Sequence, residues 1–249
     1  MYKLGLIGSP LSHSFSKIYF DEKFKKEKIY NFSYSLYQIN NIMEINTLIM
    51  NNNVIGLNVT RPYKTDVIQY LDTLDDTARY TNSVNTIFID SGREKKIGFN
   101  TDIMGFDATF NKLNTHEKKA LILGNSSVSK TISYYFKQKK IKHLIVSRNP
   151  KKNMIKYCDI QNVINEYKLI VNTTPLGQYP DHNQYPKIPY NLISKRHYCI
   201  DLIYNPKKTF FLTKCESKGA KIMNGETMLK QQAEASWKIL KKMIKENNV

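Results

Sequence analysis

Two polar segments hold the pair of residues best suited to chemistry. "NVTRPYK", residues 58–64, ends in Lys64, and "FNTD", residues 99–102, ends in Asp102. A lysine kept near a carboxylate and partly withdrawn from water can pass a proton to or from an alcohol or ketone. Nearby, "SPLSHSFS" (9–16) and "NSVNT" (82–86) place Ser, Thr and Asn where apolar runs stop. Such side chains donate or accept as required, which suits a ligand rich in hydroxyls. Taken singly, each has a plainer role. Ser14 and Ser16 could cap the following helix, Lys64 could be a solvated lysine, and Asp102 could cap "IMGFDATF". His13 is expected to pack in its loop, because Lys64 already supplies the titrating group.

A second candidate lies in "LILGNSSVSK", residues 121–130. An apolar run ends in Gly124 and a helical pattern follows, as where a strand hands a phosphate to a helix N-terminus. Ser126 and Ser127 stand where a dinucleotide loop normally has glycine, and a serine β-carbon disfavours positive φ by about 1 kcal/mol or more. Binding is expected to survive, weakened, because a helix N-terminus is still supplied. The plainer alternative is a turn capped by Ser126 or Ser127. Further on, "VSRNPKK" (146–152) puts Ser147, Arg148 and Asn149 where an NAD site would hold an acidic residue, so a 2'-phosphate, and hence NADP, is favoured.

These residues need a scaffold of strand ends. Short apolar runs alternate with helical periodicity, the pattern of an α/β chain with helix-covered sheets. Strands are expected at "KLGLIG", "FSYSLY", "VIGLNVT", "VNTIFI", "KIGFN", "KALILG", "HLIVSR", "KLIVNTT", "YCIDLIY" and "KIMN". "IFIDSGREKKIGF" is an exception, two strands joined through Asp90, Ser91 and Gly92, which makes the first sheet mixed. In open α/β sheets ligands bind at the carboxyl ends of strands, where the polar loops fall. Two domains are expected, 1–103 and 104–225. The helix at 226–249 carries an apolar stripe of Met228, Leu229, Ala233, Trp237, Leu240 and Ile244 that can return to the first domain.

The 249 residues can bury a sizeable core, and Lys+Arg 38 against Asp+Glu 21 leaves a net charge of +17. The basic residues are spread over every helical segment, without a localised stripe or recognition motif, so nucleic acid is not an expected partner. Three cysteines, Cys158, Cys199 and Cys215, form no C-x-x-C pair, which supports neither a disulfide framework nor a metal site. With no leader-like start and no apolar run of spanning length, a soluble cytoplasmic protein without membrane partners is expected.

Together the motifs resemble the shikimate dehydrogenase family, from end to end. The family's "SHSxS" stands at Ser12–Ser16, "NVTxPxK" at Asn58–Lys64, "VNT" at Val84–Thr86, "NTD" at Asn100–Asp102 and "NTTPxG" at Asn172–Gly177. The resemblance implies a mixed-sheet substrate domain and a Rossmann-like NADP domain. It makes Lys64 and Asp102 the catalytic pair, and assigns Ser14, Ser16, Thr60, Asn85, Tyr204 and Gln232 with them to shikimate. Its "GAGGAS" aligns with Gly124, Asn125, Ser126, Ser127, Val128 and Ser129. The cofactor set then comprises Asp76, residues 124–128, Ser147, Arg148, Asn149, Thr173, Leu202 and Gly225. The implied activity is NADPH-dependent reduction of 3-dehydroshikimate by a monomer or homodimer. Quinate/shikimate or aminoshikimate dehydrogenases are alternatives, as is a non-catalytic shikimate binder with an eroded cofactor loop. Departures from the pattern are Lys17 for a proline, Asn82-Ser83 for "GA", and Gln178 for a methionine. Asn82 tolerates a left-handed backbone.

Overall fold

"VIGLNV" is buried at every position, as a strand covered on both faces must be. It lies inside the first of two six-stranded sheets of a computed structural model that describes residues 1–11, 14–90, 92 and 94–247. His13, Ser12 and the Ser91 of the expected hairpin turn lie outside the described residues. The chain divides into one unit of Met1–Thr101 with Ala233–Val249 and another of Asp102–Gln232.

In the first unit the strands are β1 Tyr2–Gly8, β2 Phe32–Gln38, β3 Val54–Val59, β4 Thr73–Leu74, β5 Thr86–Asp90 and β6 Lys95–Phe99, with helices α1 Phe15–Lys26, α2 Ile45–Asn52 and α3 Asp76–Thr81. Their order is β2-β1-β3-β5-β6-β4. β1 is parallel to β2 and β3, while β5 runs antiparallel to both β3 and β6, so the sheet is mixed. Register decides what meets. Ile7 pairs with Val59, Asn58 with Thr86, and Thr86 with Phe99. The segments after β1, after β3, before β5 and after β6 therefore share one end of this sheet.

The second unit holds β7 Lys119–Leu123, β8 Lys142–Val146, β9 Met154–Ile155, β10 Leu169–Asn172, β11 Tyr198–Asp201 and β12 Lys221–Met223, with α4 Asp102–Leu113, α5 Ser127–Gln138, α6 Ile160–Val163 and α7 Phe210–Glu216. Its order is β12-β11-β10-β7-β8-β9, parallel throughout. The chain begins in the middle at β7, builds outward one way, then returns through β10 to build the other. β7 and β10 thus flank the switch point at which such sheets bind ligands.

The last helix, α8 Glu226–Glu246, belongs to both units along its length. Met228 packs in the cluster around Phe106 of α4, which assigns the first turns to the second unit and moves the division past residue 226. Ala233, Trp237, Leu240 and Ile244 cover the first sheet with Leu4, Phe24 and Phe88. Leu240 lies directly on β3 at Gly56, where a β-carbon would stand 2.9 Å from its Cδ2. Two strands have no counterpart in the sequence reading, β4 and β9. Each is two residues long at a sheet edge, too short for any period to register. Among the described residues no helix is long and apolar enough to cross a membrane.

Candidate active site

In the first unit, the polar residues expected to act are held by backbone pairing at one sheet end. Thr60, just past β3, donates its N–H to Ile7 O (2.9 Å), and its carbonyl accepts from Tyr63 N (3.1 Å), turning the chain sharply. Tyr63 is buried and donates its hydroxyl to Ile39 O (2.8 Å), which anchors the turn beneath half-buried Lys64. The Lys64 carbonyl accepts from Val84 N (2.7 Å), so the lysine is bound beside the residue preceding Asn85.

Asn85 is 2% exposed. Its Oδ1 accepts from Thr101 N (2.8 Å) and the Thr101 hydroxyl (3.1 Å), and its own N–H donates to Phe99 O (3.0 Å). Asp102 follows Thr101 as the first residue of α4 and is buried. Asn100 donates its side chain to Thr81 Oγ1 (3.0 Å) and its backbone N–H to Asp75 Oδ1 (3.3 Å). Asp75 also caps α3, and burial pushes its carboxyl pKa upward. Asn82 ends α3 with φ 50° and ψ 46°, the left-handed conformation expected of it.

Ser14 is the N-cap of α1, its hydroxyl accepting from Ser16 N (3.3 Å), so capping is part of its role. Ser16 lies near the buried Tyr34 hydroxyl and works against the rise that burial causes in its pKa. Asp76, exposed in the first turn of α3, is paired with Arg79 at 3.0 Å.

In the second unit, the ends of β7 and β10 are tied together. Gly124 has φ +108°, and a β-carbon there would stand 2.9 Å from Thr173 Oγ1, so glycine is required both for the turn and for the space. The two serines are accommodated differently from what their replacement of glycine suggests. Ser126 has φ −93° and ψ 176°, an ordinary extended backbone, and no residue from 125 to 130 has positive φ. The feared backbone strain is absent from this turn.

Ser126 instead caps α5 in a reciprocal box. Its Oγ accepts from Ser129 N (3.3 Å), and Ser129 Oγ accepts from Ser126 N (2.8 Å). Thr173 donates to Leu123 O (2.7 Å), so at 2.7 Å the Ser129 hydroxyl must donate to Thr173. Ser129 is fully buried and links the turn to β10, a role the sequence reading did not give it. The S-x-x-S spacing was the local sequence signal for its bond with Ser126.

Other groups complete this strand end. Ser147 accepts from Asn149 N (3.2 Å) and donates to Asn149 O (3.1 Å), shaping the turn that carries exposed Arg148, whose charge acts on the nearby Tyr157 hydroxyl. Gly225 passes so close to Leu202 that a β-carbon would fall on the Leu202 carbonyl. Asn172 donates to Asp201 (3.0 Å) and accepts from Thr174 N (3.0 Å) and the Thr174 hydroxyl (2.7 Å). Asp201 also accepts from Thr209 (2.6 Å) and Ile203 N (3.1 Å), yet burial outweighs these bonds and its pKa is pushed up to about 6. Tyr204 is half-buried after β11, and Gln232 in α8 donates to Leu229 O (3.1 Å). A positive-φ glycine beside a helix N-terminus, with an exposed arginine after β8, supplies the N–H donors and the positive charge that a phosphorylated dinucleotide requires.

Comparison with known proteins places these features in context. Residues 6–87 match the family model described as shikimate dehydrogenase substrate binding domain. The chain is 34% identical to the shikimate dehydrogenase (NADP(+)) of Methanococcus vannielii, over 95% of this chain and 90% of that protein. It is 35% identical to the protein of the same name from Clostridium botulinum, over 94% of each. A crystal structure of a shikimate dehydrogenase in complex with NADP+ superimposes with a TM-score of 0.87 at 28% identity, covering 97% of this chain and 90% of that one.

Proposed function

The chain belongs to the shikimate dehydrogenase family, and from that premise we propose that it reduces 3-dehydroshikimate to shikimate with NADPH, reversibly, in aromatic amino-acid biosynthesis. The observation that carries this reading is the gathering of Thr60, Lys64 and Asn85 at one end of the first sheet by strand register and by the Val84 to Lys64 bond. On this reading the first unit is the substrate-binding and catalytic domain and the second holds the cofactor.

Lys64, as an ammonium, would deliver its proton to the ketone oxygen as that oxygen gains negative charge, and its fixed positive charge would stabilise the developing alkoxide. Asp102 would accept a hydrogen bond from the same oxygen once protonated and orient it. Ser14, Ser16, Thr60 and Asn85 would bind the ring hydroxyls and carboxylate. Tyr204 and Gln232 are assigned to the same ligand by family resemblance alone.

NADPH, when bound, supplies the hydride. The N-terminus of α5 would bind its pyrophosphate through the N–H groups of Ser127 and Val128. Arg148 would pair with the 2'-phosphate, flanked by Ser147 and Asn149. Gly124, Asn125, Ser126, Thr173, Leu202 and Gly225 would line the remaining length. Asp76, exposed and paired with Arg79, has the least structural support among the assigned residues.

The test is loss of NADPH absorbance on adding 3-dehydroshikimate, with NADH and quinate in parallel. Fast oxidation of NADPH with 3-dehydroshikimate supports the reading. Equal turnover of quinate in the reverse direction would move the assignment to a quinate/shikimate enzyme, and no turnover with any pair would refute catalysis.

A further inference from the structure

Ser236 interrupts the apolar stripe of α8 and is completely buried. Serine is a poor helix former, and a buried hydroxyl costs free energy unless it is paired. Its partner is Asn58 of β3, whose Nδ2 donates to Ser236 Oγ at 2.7 Å. The same amide faces two further acceptors, Asn85 O and Thr86 Oγ1, each at 3.2 Å. Its Oδ1 accepts from the Tyr34 hydroxyl at 2.9 Å. Thr86 then donates to Asn85 Oδ1 at 3.2 Å. With one N–H on Ser236, the other N–H of Asn58 is shared between the Asn85 carbonyl and Thr86, whose hydroxyl reaches the Asn85 side chain. Tyr34, Asn58, Asn85, Thr86 and Ser236 are all buried.

We propose that Asn58 and Ser236 are positioning residues for the substrate, a buried junction through which the C-terminal helix fixes the carboxamide of Asn85. The inference rests on the functional reading above, in which Asn85 binds shikimate. A stripe that served only to cover the sheet would be met by alanine at 236. Serine instead supplies the acceptor that orients the Asn58 amide, and this orientation propagates to Asn85.

The experiment measures shikimate KM and kcat, NADPH Kd and Tm for Ser236→Ala, Ser236→Thr and Tyr34→Phe beside the parent. Loss of one orienting hydrogen bond should raise the shikimate KM about threefold to tenfold in Ser236→Ala and Tyr34→Phe. The change in kcat should be smaller, and NADPH Kd should stay within about twofold. Ser236→Thr, which keeps the hydroxyl, should recover much of the parent KM. A lowered Tm with unchanged shikimate KM in both deletion variants would overturn the proposal and leave the junction a fold element. Failure of the parent itself to turn over shikimate would overturn the functional reading and this inference together, a result distinct from the first.

Discussion

Replacing Ser126 and Ser127 together by glycine restores the glycine-rich form of the turn, and the structure predicts that NADPH then binds more weakly. Ser126 sits at φ −93°, so glycine relieves no strain there. What glycine removes is the cap, through which Ser126 Oγ holds Ser129 N. Exchanging the serine cap at 126 for glycine costs a few tenths of a kcal/mol, and glycine at 127 in the first turn costs about 0.5–1 kcal/mol in backbone entropy. The ordered turn thus loses about 1 kcal/mol. Were all of this to appear in binding, Kd would rise about fivefold. Titration of NADPH fluorescence measures it, with Ser126→Ala as a companion that loses the cap without gaining backbone freedom. Tighter NADPH binding by the double-glycine variant would refute the reasoning, because the serines would then be obstructing the phosphates. No change in either variant would show that residues 124–130 do not meet the cofactor.

Arg148→Ala should weaken NADPH about tenfold or more and leave NADH nearly unchanged, since only NADPH carries the 2'-phosphate; equal losses would make Arg148 a packing residue. Burial raises Asp201 to about 6, above its unfolded value, so the folded chain binds this proton more tightly. The stabilisation is fully present below about pH 4 and is lost as pH rises through 6. The Tm of Asp201→Asn relative to the parent should therefore improve between those limits, and a constant difference would contradict the shift. Gly225→Ala should lower stability by about 1–3 kcal/mol, because the new methyl meets the Leu202 carbonyl. An unchanged Tm in that variant would mean that the two backbones separate easily.

Much of the fold was legible because strand signals are local. "VIGLNV" and the "ALIL" of "KALIL" are mostly aliphatic and buried throughout, and "IFID" followed by "KKIGF" stands out by the short connection between them. The motif residues were legible for the same reason, as each polar loop directly follows or precedes an apolar run. What stayed hidden depends on tertiary pairing. Nothing in "EASWK" says that Ser236 faces Asn58, and nothing in "LIVNTT" says that Thr173 accepts from Ser129. At 124–127 the sequence offered both a strained glycine-loop replacement and a turn capped by Ser126 or Ser127, and the structure has the cap. Two serines three residues apart built a reciprocal cap in a region of φ that serine adopts readily.

The proposal that Lys64 carries the proton in a ketone reduction is tested most directly by comparing Lys64→Ala with the parent in NADPH-dependent turnover of 3-dehydroshikimate, while shikimate binding is measured separately. The account predicts that kcat falls about 100-fold or more with shikimate Kd changed far less, as expected when a general acid is lost from an otherwise intact site. Turnover equal to the parent's would remove Lys64 from the chemistry and contradict the account.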